Sequence, residues 1–444
     1  MGPGQKERHP PGLYVLFFTE MWERFGFYSM LAMFVLYLQN QQEGFGWDEK
    51  EATLLYSIYQ ASVYFMPLFG GLIADWKLGY RNSVLIGGLI FMVGYFVMAV
   101  HSIVAVFIAL ACLVIGNGFF KPNVSAMVGH LYPEGSALKD RAYNIFYMGI
   151  NIGALFAPIS AGLMRKYFGF HAGFIVAGVG MIMSVTILWL FRAYVRGADR
   201  TEVSGSAGAP AVARPIDAVP EGKRIGALIV IFVIVIVFWM VFNQNGSTLN
   251  YWARDNTDWR ATGVESREDN EVFAIIANTI NPFWVVTLSF PLVLLWNFLN
   301  RRGLEPSTPT KLAVGMVLLG LSFFILYGAA RVGEQGLTEQ TRYQFRVSLG
   351  WLVGTYFFAT VAELCLSPMG LSLVSKVAPP RRRGLMMGGW FVATAVGGSL
   401  SAIGVYWTEW WHSTFFAVLG GMAVGMGVVL ILLLRPLKKA MPGV

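Results

Sequence analysis

Five ionisable side chains of this 444-residue sequence stand inside long apolar stretches: Glu20, Glu23, Arg24, Lys121 and Glu363. Groups of this kind can carry a proton or hold a charged solute. A charge near the centre of a bilayer costs at least ~2.5–3.5 kcal/mol on insertion scales, so it persists only where it is paired, wet or useful. With a helical rise of ~1.5 Å per residue, Arg24 lies about 18 Å beyond Gly12, Lys121 about 13 Å before His130 and Glu363 about 20 Å before Lys376. Each therefore falls near the middle of a hydrocarbon core ~30 Å thick, too deep for easy snorkelling. Glu20, Glu23, Arg24, Phe27 and Leu31 follow a spacing that puts them on one helical face. Glu20 and Arg24 are expected to pair along that face. Glu23 then needs a partner from another helix, and Lys121 is the only other cation at that depth. Buried ion pairs are often no more stable than apolar replacements, so five such charges favour a transport site over a merely structural network.

The elements that must position these charges follow from composition. The chain is 56% hydrophobic and only 13% charged, with a mean hydropathy of +0.57, whereas soluble domains carry about 25% charged residues. That excludes a water-soluble enzyme, a disordered chain and a coiled coil. Apolar runs long enough to cross a bilayer recur near 13–38, 52–74, 83–101, 103–129, 142–164, 172–191, 225–248, 272–299, 311–330, 345–375, 385–408 and 413–434. This predicts an all-α membrane protein with twelve spans in two six-helix bundles, 1–192 and 224–444. A Gly, Ala, Ser, Pro and charge-rich cytoplasmic linker, 193–223, joins them. With this span count, 22 of the 33 Lys and Arg fall on the side of the N-terminus, 9 on the opposite side and two within spans. Lys and Arg mark the cytoplasmic face, so both termini are expected there, in a multi-pass plasma-membrane protein. The net charge of +8 is thereby explained by topology and calls for no nucleic acid.

Cys112 and Cys365 are the only cysteines, both in apolar runs, and no HExxH is present. Neither a disulfide framework, nor a metal site, nor a catalytic constellation is expected. The first apolar run lacks a small-residue cleavage site and is read as a retained span. Lys6 stands where a myristoylated terminus needs Ser or Thr.

The twelve spans and central linker resemble the major facilitator superfamily. Gly71 to Arg81 (GLIADWKLGYR) is similar to that superfamily's loop motif, with Trp76 where a basic residue is usual. Asp75, near a helix end with basic neighbours, is expected to act as a latch. The run from Glu20 to Tyr28 (EMWERFGFY) resembles the ExxERFxYY motif of the proton-dependent oligopeptide transporters of prokaryotic type. Gly116 to Asn123 (GNGFFKPN), Phe146 to Gly153 (FYMGINIG), Asn281-Pro282, Glu363 to Pro368 (ELCLSP), Tyr64 and Trp390 match that family in the same order.

The resemblance implies a symporter that imports di- and tripeptides with protons by alternating access, with no cofactor beyond the coupling proton and a monomer as the expected state. A peptide is a zwitterion, and the charges fit its two ends whatever its side chains. A cavity between the halves would be positive on one wall and negative on the other. The carboxylate is assigned to Lys121 and Arg24, aided by Tyr28, Tyr64 and Asn151. The ammonium is assigned to Glu363, with Ser367 and Asn281 as neighbours. Tyr147 completes the polar lining and Trp390 forms a wall. Proton coupling is assigned to Glu20, Glu23, Arg24 and Lys121. Glu23 would be released to take a proton when a peptide carboxylate claims the cations, with Glu20 the alternative carrier.

Three positions depart from the family. Phe27 stands where many members have a tyrosine, Leu31 where many have a second arginine, and Asn243 where many have a glutamate on the seventh span. Loss of both charges leaves neither orphaned, whereas loss of one would cost ~3–5 kcal/mol. Gating is therefore expected to rest on other contacts. The competing reading is a facilitator for another small charged solute, nitrate or a peptide-like drug. Nitrate would use the cations but leave Glu363 without a task.

Overall fold

A backbone in hydrocarbon must satisfy its own N–H and C=O groups, and helices do so within one segment. The computed structural model, which describes residues 9–132, 137–199, 215–263, 266–379 and 382–442, is accordingly helical. The helices are α1 (Pro11–Gln39), α2 (Glu49–Phe65), α3 (Pro67–Ile73), α4 (Tyr80–Met98), α5 (Ile103–His130), α6 (Ala137–Phe168), α7 (Phe170–Leu190), α8 (Glu221–Phe242), α9 (Thr248–Asp255), α10 (Arg267–Ala277), α11 (Ile280–Arg301), α12 (Thr308–Gly333), α13 (Leu349–Val377), α14 (Arg383–Leu400) and α15 (His412–Ala440). Eleven helical segments among the described residues are long and apolar enough to cross a membrane. The remaining expected span is α1, whose 29 residues carry Glu20, Glu23 and Arg24. The chain is a multi-pass membrane protein of the all-α class. The one departure is a two-residue parallel bridge, Thr257–Asp258 (β1) with Val347–Ser348 (β2).

Several spans are broken where the sequence supplies a reason. Pro67 removes a helical N–H and separates α2 from α3. The seventh span passes through a 3-10 turn, Asn243–Gly246, between α8 and α9. The eighth breaks at Asn278 and Thr279, and Pro282 falls in the first turn of α11, where its missing N–H costs nothing. Pro122 and Pro158 are tolerated inside α5 and α6. Ser266 caps α10, its Oγ accepting from Asp269 N at 3.0 Å and donating to the Asp269 carboxylate at 2.8 Å.

The chain divides into two compact units. The first comprises 1–37, 42–45 and 65–207. Within it α4 packs on α5 and α7, α3 on α5, and α6 on α7. Gly79, at φ +74°, turns the chain between the π-helical turn Ala74–Leu78 and α4, a conformation that favours glycine. The loop-motif latch takes an unexpected form: Asp75 accepts from the Tyr80 hydroxyl at 2.7 Å, and Arg81 pairs with Asp199 at 3.6 Å. No ion pair of Asp75 is present among the described residues.

The second unit comprises 38–41, 46–64 and 208–444, so most of α2 clusters with α8–α15. There α12 packs on α13 and α15, α14 on α8, and α11 on α13. At the Asn243 position the contacts are neutral. The Tyr56 hydroxyl donates to the Asn243 carbonyl at 3.2 Å and accepts from Gln60 Nε2 at 3.0 Å. Nearby, Arg254 donates to Gln39 at 2.5 Å and pairs with Glu49 at 3.2 Å. Of the expected linker, residues 200–214 lie outside the described residues, and its flanks form short 3-10 turns, Arg192–Ala198 and Pro215–Ala218.

Candidate functional site

Glu20, Glu23 and Arg24 share one face of α1, as their spacing predicts, and are 1%, 0% and 3% exposed. Arg24 Nε bonds Glu23 Oε2 in a very short contact, and its Nη2 donates to Glu23 Oε1 at 2.7 Å. The same Nε lies 3.4 Å from Glu20 Oε1. The expected Glu20–Arg24 pair is present. The expectation that Glu23 must look to another helix is corrected: the guanidinium folds back along the helix and its fork takes Glu23 side-on, which a planar group with paired donors favours.

Two further groups hold Arg24. Its Nη2 reaches Asn117 Oδ1 at 3.5 Å, and its Cζ sits 4.8 Å from the centroid of the Phe27 ring. Phe27 therefore lacks a tyrosine hydroxyl but offers the cation an aromatic face. Gly153 lets α6 approach this stretch of α1: a Cβ there would lie 3.0 Å from Phe25 N and 3.2 Å from Arg24 Cβ. Lys121, on α5 one turn beyond Asn117, interacts electrostatically with Arg24, Glu20 and Glu23. Two acids and two bases thus form one formally neutral group, of which Glu20, Glu23 and Arg24 are buried and Lys121 is partly exposed. One atom of the group stands out: Glu20 Oε2 is buried with no hydrogen-bond partner among the described residues.

Tyr28 also faces Arg24 electrostatically. The Asn151 amide donates to the Tyr147 carbonyl at 2.8 Å, within α6, so the helix takes one of its two N–H donors. These residues all belong to the first unit. Tyr64, grouped with them in the sequence reading, clusters with the second unit, where its ring lies 6.2 Å from that of Trp239.

Glu363, on α13, is partly exposed and has a different setting. Asn281 on α11 donates through Nδ2 to Glu363 Oε2 at 3.1 Å and to Thr360 Oγ1 at 2.9 Å. Asn281 is thus the neighbour that was expected, and no cation pairs with Glu363 among the described residues. Ser367, the other expected neighbour, has its side chain outside the described residues. Trp390, 5% exposed, meets the Phe232 ring edge-on at 6.4 Å and is closely approached by Gly370.

Asn117, Thr360 and Trp239 were not singled out from the sequence. Asn117 precedes Lys121 by four residues and Thr360 precedes Glu363 by three, so each shares the face of a charge already chosen. Helical spacing was the available signal. Among the described residues, no group of three or more His, Cys, Asp or Glu could hold a metal ion.

Comparison with known proteins bears on this arrangement. Residues 81–202 and 202–419 match the POT family. The chain is 30% identical to a di-/tripeptide transporter of Lactococcus lactis subsp. lactis, across 97% of this chain and 96% of that one. It is 31% identical to the uncharacterized transporter YclF of Bacillus subtilis, across 98% and 96%. Two crystal structures share the fold. One is peptide transporter POT in complex with sulfate, with TM-score 0.84, 28% identity and coverage of 98% and 96%. The other is a POT family transporter in complex with 5-aminolevulinic acid, with TM-score 0.84, 25% identity and 97% coverage of each chain. With its family match across more than half its length and its helices in the same fold, the chain belongs to the POT family and is a transporter, not an enzyme.

Proposed function

We propose that this protein is a proton-coupled symporter that imports di- and tripeptides by alternating access. The carrying observation is the group of buried Glu20, Glu23 and Arg24 with Lys121 beside them, in which Glu20 Oε2 makes no hydrogen bond among the described residues. Glu23 has both oxygens on Arg24. Glu20 has one oxygen 3.4 Å from Arg24 Nε and the other without a hydrogen bond among the described residues, and a buried polar atom left so is costly. That favours Glu20 over Glu23 as the carboxyl that takes the proton. The likeness to relatives described as di-/tripeptide transporters supports the substrate class. So does the family member bound to 5-aminolevulinic acid, which carries an amine and a carboxylate at opposite ends.

In this reading the peptide carboxylate engages Lys121, with Tyr28, Tyr147 and Asn151 supporting it. Arg24, 3% exposed and held by both acids, positions the acids instead of reaching for substrate. The peptide ammonium engages Glu363 beside Asn281 and Ser367, with Tyr64 and Trp390 as neighbouring wall. Carboxylate binding to Lys121 weakens its hold on the acids, and Glu20 then takes a proton from the outside. A neutral zwitterion with one proton moves one charge, and each 100 mV contributes ~2.3 kcal/mol. The protein acts as a monomer in a bacterial inner membrane, with both termini cytoplasmic.

Uptake of dialanine into proteoliposomes tests the reading. The wild type accumulates dialanine under an inward proton gradient. Glu20→Gln exchanges dialanine across the bilayer but does not accumulate it. Lys121→Ala abolishes both. Accumulation by the wild type without a gradient, or by Glu20→Gln with one, overturns the assignment.

A further inference from the structure

The Asn281 amide presents nitrogen to two oxygens at once, Thr360 Oγ1 at 2.9 Å and Glu363 Oε2 at 3.1 Å. Both its N–H bonds are used on one side. Thr360 is 0% exposed, and it stands one turn before Glu363 on α13. Glu363 Oε1 makes no hydrogen bond among the described residues, so only one carboxylate oxygen is held.

An asparagine amide can turn over, exchanging its N–H₂ for its carbonyl oxygen at the same place. With the oxygen turned toward Glu363, two acceptors would meet unless Glu363 carried a proton. A hydroxyl neighbour serves either orientation. It accepts from the amide N–H when Glu363 is ionised and donates to the amide oxygen when Glu363 is protonated. A valine could serve neither.

Three charged groups on elements packed against α13 are engaged elsewhere. Lys311 on α12 pairs with Glu305 at 2.6 Å, and Arg224 on α8 donates to the Val377 carbonyl at 2.7 Å. Asp258 on β1 pairs with Arg260 at 2.7 Å. Arg301 ends α11, Arg331 lies in the last turn of α12, Glu221 and Lys223 lie in the first turn of α8, and Arg383 begins α14. Among the described residues, the hydrogen bonds that orient the Asn281 amide are those to Thr360 and Glu363.

We propose that Thr360 is a positioning residue for amine recognition: by fixing the Asn281 amide it holds one oxygen of Glu363 and leaves the other for the peptide ammonium. This rests on the assignment of the ammonium to Glu363. Thr360 touches no substrate and acts through Asn281.

The test is competition against labelled dialanine by dialanine and by N-acetyl-dialanine, from pH 5 to pH 8, in Thr360→Val, Thr360→Ser and Glu363→Gln. Loss of the one neutral hydrogen bond between Thr360 and Asn281 predicts that Thr360→Val weakens dialanine about 3- to 10-fold. N-acetyl-dialanine stays within about twofold, and the pH dependence of dialanine binding flattens. Thr360→Ser, which keeps the hydroxyl, restores wild-type selectivity. Equal weakening of both ligands by Thr360→Val, or failure of Thr360→Ser to rescue, overturns the role of Thr360. If Glu363→Gln itself does not discriminate between the ligands, the assignment of Glu363 fails first and this inference with it.

Discussion

The two charged regions of the molecule differ in how they are balanced. In the first unit two acids and two bases are gathered into one group, and Arg24 pairs with both Glu20 and Glu23. In the second unit Glu363 has an amide for its hydrogen-bond partner and no paired cation among the described residues. Both sit on helices of a protein that must keep charge away from lipid. A balanced group can lose or gain one proton and redistribute its pairs. A lone carboxylate can only wait for a cation or a proton. Under the proposed function this difference would separate coupling from recognition, with the first unit exchanging a proton and the second receiving an amine.

Substitution can break that contrast. The largest effect is expected from Arg24→Ala, which strands two buried acids and should cost ~3–5 kcal/mol of stability. Glu363→Gln is nearly isosteric, keeps an acceptor for Asn281 and should change stability by less than ~1 kcal/mol. Thermal unfolding of the two purified variants in detergent checks this. A Glu363→Gln protein as unstable as Arg24→Ala would mean that Glu363 is a structural charge.

A smaller effect sharpens the first region. Phe27→Leu removes the ring from beneath Arg24 and is expected to cost ~0.5–2 kcal/mol of stability, whereas Phe27→Tyr, which keeps the ring, should stay near wild type. Equal behaviour of the two variants would remove the aromatic face from the account.

Much of this was legible in the residues. Depth and helical spacing placed Glu20, Glu23, Arg24 and Phe27 on one face, because a rigid helix turns sequence distance into geometry. Asn281 beside Glu363 was also anticipated, through the order of family motifs. The partner of Glu23 was not. Spacing rules describe where a side chain leaves the backbone, while a long arginine can fold back to its immediate neighbour when both are buried. The two-residue bridge between Thr257 and Val347 was likewise invisible, since it joins two loops far apart in sequence with no strand-like run in either. The unit boundary within α2 falls beside Pro67, a visible residue, yet no rule says on which side of a kink a helix will pack. Asn117 and Thr360 were missed for a simpler reason: neutral residues one turn from a charge carry no signal unless each charge is asked what holds it.

The most direct test of the central claim pairs each end of the peptide with each unit. Binding of dialanine, N-acetyl-dialanine and dialanine amide is measured in Lys121→Gln and Glu363→Gln. The account expects a crossed pattern. Glu363→Gln ceases to distinguish dialanine from its N-acetylated form yet still rejects the amide, and Lys121→Gln ceases to distinguish dialanine from its amide yet still rejects the acetylated form. If both variants weaken all three ligands alike, the two units do not divide the peptide's ends and the account is wrong.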